Sequence, residues 1–135
     1  MDNVQFAEIM KARTKGLAIR IIKLFQSLPK TEEARIIGKQ LLRCSTSVAA
    51  NYRAVCRARS NAEYYAKVCI TVEEADETLF WLEILAESNI IAETKLTLLQ
   101  QEVSEILAIV SKTKRSMKRK ILQLKSQQLN NSTTQ

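Results

Sequence analysis

Two glycines and a single proline in 135 residues constrain this chain more than any motif it carries. Strand hairpins, sandwiches and repeated strand-to-helix crossovers consume turn residues, above all glycine for positive φ. A chain with almost none, rich instead in Ala, Leu, Glu, Lys and Arg, is expected to be all-α. With 46% hydrophobic residues it can fill one core, so one domain is expected.

The few breaks are well placed. Pro29 in "SLPKT" stops a first helical run, and "SNAE", Ser60 to Glu63, has the pattern of a capping box. "SNIIAE", Ser88 to Glu93, makes a third break without Gly or Pro. The spacing predicts helices over 3–27, 32–58, 61–87 and 93–124, joined as an up-down-up-down antiparallel four-helix bundle over 1–125, with 126–135 as a disordered tail.

Each helix offers an apolar row at alternating steps of three and four. Helix one gives Phe6, Met10, Leu17, Ile21, Leu24 and Leu28, and helix two gives Leu41, Ser45, Val48, Tyr52 and Val55. Helix three gives Tyr65, Val68, Val72, Ala75, Leu79, Leu82 and Ala86, and helix four Leu96, Leu99, Val103, Ile106, Val110, Thr113 and Met117. Phe80, Trp81 and Ile84 fall opposite the helix-three row, so the last turns of that helix are apolar all round. Such a patch marks a contact between copies, unless local tilt turns one of the two aromatics inward.

Charge is arranged in blocks. Residues 1–60 carry a net +8, residues 61–105 a net −8 and residues 106–135 a net +7, for +7 in total. Arg35, Lys39, Arg53 and Arg57 face outward on helix two, and Glu73, Glu74 and Glu77 face outward on helix three. If the first face of one copy meets the second face of the next, the contact is heterologous and is expected to close into a ring. Arg43 is expected opposite Asp76 within one subunit. Arg13, Arg20 and Lys23 form a further basic stripe on helix one, and Lys112, Arg115 and Arg119 one on helix four. Such stripes suit a phosphate backbone, bound with little sequence preference and strong salt dependence; they lack the aromatics that stack on bases.

Chemistry is sparse. There is no histidine, hence no imidazole base and no Ser-His-Asp set, and the isolated Gly16 and Gly38 make no phosphate loop. Glu73 and Glu77, one helical turn apart, could hold a hydrated divalent ion; a solvated or intersubunit acidic face is preferred, and no catalytic residue, metal or cofactor is expected. Cys44, Cys56 and Cys69 are odd in number and unpaired by spacing, as for buried thiols in a reducing compartment. No segment has the length and apolarity of a membrane span, so a soluble, cytoplasmic protein is expected.

The stretch "SVAANYRAVCRARSNAEYYAKVCITVEEADETLFWLEIL" resembles the bacterial four-helix bundle proteins typified by the 23S rRNA intervening-sequence protein. Ser47, Ala50 to Arg53, Cys56 to Ser60, the "EEADE" of Glu73 to Glu77 and the "WLE" of Trp81 to Glu83 carry the likeness, which runs from about Phe6 to Lys114. The resemblance implies a small bundle assembling into homo-oligomers, typically pentameric rings, often encoded within insertions in 23S rRNA genes. A related branch, the accessory variability proteins of diversity-generating retroelements, forms a basic barrel that binds reverse transcriptase and nucleic acid, and lacks the "EEADE" signature. Two readings follow: a non-enzymatic bundle binding RNA or a ribonucleoprotein through its basic faces, or a protein assembly or adaptor module, including a reverse-transcriptase accessory role.

Overall fold

A computed structural model of the chain describes residues 1–133, all of them in four helices and the short connections between them. Helix α1 spans Asn3–Ser27, α2 Glu32–Cys56, α3 Asn61–Glu87 and α4 Glu93–Thr133. Consecutive helices pack antiparallel, and α1 touches α4 to close an all-α four-helix bundle.

Local chemistry sets the helix ends. Asp2 and Gln5 form a reciprocal capping box on α1, and Thr31, two residues after Pro29, accepts from the Ala34 N–H at 3.3 Å to start α2. At α3 the Ser60 hydroxyl accepts from the Glu63 N–H at 3.1 Å, but the Glu63 carboxylate accepts from the N–H of Arg59 rather than that of Ser60. The α3–α4 turn succeeds without glycine because Asn89 takes φ 60°. The Ile90 N–H then reaches the Leu85 carbonyl at 3.1 Å and the Asn89 N–H that of Ala86, closing the helix in a Schellman arrangement.

The core is built from Met10, Leu17, Ile21, Leu41, Val48, Leu82, Leu96, Val103 and Ile106, with their neighbours. On α2 every residue of the expected row is buried, and on α4 the row is buried from Leu96 to Val110. On α3 the buried row is different: Val68, Thr71, Ala75, Thr78, Leu82 and Leu85. Tyr65, Val72, Leu79 and Ala86 are only partly buried. Two threonines belong inside because each hydroxyl donates to the carbonyl four residues earlier, Thr71 to Lys67 at 2.8 Å and Thr78 to Glu74 at 2.7 Å, so neither carries an unmet polar group into the core.

Three further details depart from the sequence reading. The second helix ends at Cys56 rather than 58, and Cys56 is exposed, whereas Cys44 is buried. Arg43 does not pair with Asp76: that carboxylate projects to solvent, and Arg43 takes Glu74 and Glu77 on either side of it. Finally, α4 runs on as helix to Thr133 where a tail was expected from 126, there being no Gly or Pro to stop it. Thr134 and Gln135, the end of that expected tail, lie outside the described residues.

Candidate nucleic-acid interface

The α1–α2 hairpin gathers positive charge in a cleft at each of its ends. Lys11 and Lys15 from α1 meet Arg53 of α2 and Arg57, which caps its C-terminus, across a cleft of about 520 Å³. Ala12, Ala49 and Ala50 line the cleft between these cations, where larger side chains would fill it. At the other end of the hairpin, Lys30, Arg35 and Lys39 line a second cleft of about 510 Å³ against Phe25 and Pro29. Arg35, Lys39, Arg53 and Arg57 stand on one exposed stripe of α2, as their spacing predicts. Among the described residues the only ion pair reaching these two clefts is Lys11 to Glu8, at 2.6 Å. Lys11, Lys15 and Lys30 were missed from sequence; the signal was the one-turn spacing of Lys11 and Lys15 on the side of α1 that faces the alanines of α2.

Arg13 belongs elsewhere. Its guanidinium turns to α4, where Nε donates to Glu102 at 3.2 Å, while Nη2 binds both Glu102 and Glu105, the latter at 2.7 Å. The Glu102 carboxylate, with Glu105, raises the Arg13 pKa above its ordinary value against the opposing effect of burial. Arg13 is therefore a clamp between the first and last helices. Arg20 and Lys23 remain exposed on α1, and Lys112, Arg115 and Arg119 on α4. The α2 and α4 stripes are not brought together, because those helices occupy diagonal corners and make no direct packing contact.

The acidic signature is divided. Arg43 donates to Glu74 at 3.3 Å and to Glu77 at 2.5 Å, and the hydrogen bond from Arg43 holds the Glu77 carboxyl below its ordinary pKa. Glu73 stays exposed. Among the described residues no three His, Cys, Asp or Glu side chains gather as a metal site.

Phe80 and Trp81 part company. Trp81 is partly buried against the core and its indole N–H donates to Glu77 at 3.3 Å. Phe80 is 48% exposed and stands edge-on to the indole, and Ile84 is partly buried. Ile36 on α2 is 56% exposed, and the antiparallel register fixed by Arg43 brings it to the same end of the hairpin as Phe80.

A larger cleft, about 790 Å³, opens where α1, α4 and the α2–α3 turn diverge, lined by Phe6, Tyr52, Tyr64, Met117, Lys112 and Lys120. Burial pushes the Tyr52 and Tyr64 phenols up, so both stay protonated near neutral pH. No helix among the described residues is long and apolar enough to cross a membrane.

Residues 8–112 match the model of a family described as 23S rRNA-intervening sequence protein. A crystal structure of a protein of unknown function from the S23 ribosomal protein family of Bacteroides thetaiotaomicron is similar, with a TM-score of 0.75 and 28% identity. The similarity covers 81% of this chain and 97% of that one. Among curated proteins no match is found.

Proposed function

The chain belongs to the 23S rRNA-intervening sequence protein family, and on that premise we propose that it is a non-enzymatic, self-associating bundle that binds RNA, or an RNA-containing particle, through the α1–α2 basic face. The observation that carries this reading is the pair of clefts holding Lys11, Lys15, Arg53 and Arg57 at one end of the hairpin and Lys30, Arg35 and Lys39 at the other. Arginine forks and lysine ammonium groups in a shallow groove neutralise phosphates along a backbone. Arg20 and Lys23, and Lys112, Arg115 and Arg119, extend the positive surface to other faces, which a ring of copies would present repeatedly to one long polyanion.

Self-association runs through Phe80, with Trp81 and Ile84 behind it, and closes into a ring, five-fold by family resemblance. Glu73 is free to meet a basic face of the next copy, whereas Glu74 and Glu77 are held by Arg43. The binding test is fluorescence anisotropy with a structured RNA at two salt concentrations. Arg53→Gln with Arg57→Gln should weaken binding, and the slope of log affinity against log salt should fall by about 0.7–0.9 for each phosphate no longer neutralised. No binding at low salt by the wild type would end the RNA reading.

An adaptor reading, extending to a reverse-transcriptase accessory role, is favoured by the exposed Phe80 with Ile36 at the same end of the hairpin, a surface equally suited to a protein partner. In that case RNA affinity is absent at both salt concentrations.

A further inference from the structure

Helix α4 has 41 residues against 25 to 27 in each of the others. Lys120 still lines the end cleft with Asn3 and Asn61, so the body of the bundle ends there. Ile121–Thr133 then projects about 20 Å further, at 1.5 Å per residue. On this arm Leu122, Leu124 and Leu129 are exposed by 54%, 41% and 69%. Leu122 and Leu129 share one face, in line with Lys118 and Lys125 at alternating steps of four and three, whereas Leu124 continues the seven-residue row of Val103, Val110 and Met117 on the other side of the helix. A projecting helix of this length is marginal alone in water and is stabilised by covering its apolar side chains.

The arm and the turn before it are also purely basic, with Lys118, Arg119, Lys120 and Lys125 and no acidic residue after Glu105. Pairing two arms would set like charges together. At the opposite end of the bundle, α3 and α4 form a groove of about 480 Å³, with Leu79 and Ala86 between the carboxylates of Glu83, Glu87 and Glu93. Among the described residues none of these three carboxylates has an ion pair. Groove and arm complement each other in charge and in apolar character, yet cannot meet within one chain: Glu93 precedes Ile121 by 28 positions on one continuous helix, about 40 Å.

We propose that the α4 arm of one copy docks its Leu122 and Leu129 face, flanked by Lys118 and Lys125, into the Glu83–Glu87–Glu93 groove of a second copy. The contact is heterologous, so successive copies join head to tail. It rests on the self-association reading but uses a face of α3 turned away from Trp81.

Light scattering on the full chain tests it, with circular dichroism to verify folding. Glu83→Lys with Glu87→Lys and Glu93→Lys should weaken self-association about ten-fold or more at low salt. Lys118→Glu with Lys125→Glu should do the same, and the combined five-fold variant should recover wild-type mass. Failure of that recovery, or wild-type mass in either the groove variant or the arm variant, overturns arm docking. Arm variants that lose RNA affinity at unchanged mass also overturn it, in favour of an RNA contact. If Phe80→Lys lowers the mass while the arm variants do not, self-association stands and arm docking fails; a monomeric wild type removes both.

Discussion

Arg43 of α2 and Glu77 of α3 meet at 2.5 Å across the central hairpin, and the same guanidinium reaches Glu74 one turn back. The pair converts part of the acidic signature from an outward surface into an internal strut, and it fixes the antiparallel register that brings Ile36 to the Phe80 end of the bundle.

Replacing Arg43 by Gln should cost about 0.5–1 kcal/mol in urea unfolding, since both partners are partly solvated and screened. Folding lowers the Glu77 pKa, so this contribution is fully present above the ordinary glutamate value of about 4.3 and disappears as pH falls through the lowered folded value. The stability difference between wild type and variant should therefore shrink to nothing under acid conditions, and be reduced in high salt.

The two glycines should respond oppositely to alanine. A Cβ at Gly38 would lie 2.7 Å from Leu28 Cδ1 and 2.8 Å from the Phe25 ring, at the C-terminal end of α1, whereas at Gly16 it would meet nothing within 4 Å. Gly16→Ala should stabilise by about 0.5–1 kcal/mol through helix propensity. Gly38→Ala should destabilise by about 1 kcal/mol, as overpacking outweighs the same gain. Thermal melts of the two variants should shift in opposite directions.

Phe80 and Trp81 separate assembly from stability. Phe80→Ala should lower the particle mass in light scattering while leaving the unfolding free energy of the separated chain within about 0.5 kcal/mol of wild type, because a half-exposed ring leaves no cavity. Trp81→Ala should cost about 2–3 kcal/mol by removing a ring that leans on the core.

Arg13 and Arg53, both basic and both on the first hairpin, should differ in kind. Arg13→Gln leaves Glu102 partly buried without its partner and should cost about 1–2 kcal/mol of stability with RNA affinity unchanged. Arg53→Gln should leave stability unchanged and weaken RNA binding, measured by anisotropy on protein shown to be folded.

The candidate site was legible where charge and period agree. Arg35, Lys39, Arg53 and Arg57 recur on one face of α2, and that face is exposed. It was illegible where a polar side chain has a hidden partner. The apolar row expected on α3 passes over Thr71 and Thr78, whose hydroxyls bond the carbonyls of Lys67 and Glu74 and so let both face the core in place of Val72 and Leu79. Arg13 looked like part of a stripe because its partners, Glu102 and Glu105, lie some ninety residues away in sequence.

The sequence by itself determined that the chain is helical, where its four helices begin, and which rows of α2 and α4 turn inward, because turn supply, capping and periodicity are local properties. Tertiary structure alone decided which charges are consumed in struts and which stay free, and that α4 outruns its neighbours with an uncovered apolar face. Those outcomes depend on where the other helices stop and on which distant side chain arrives opposite, and no local pattern encodes either.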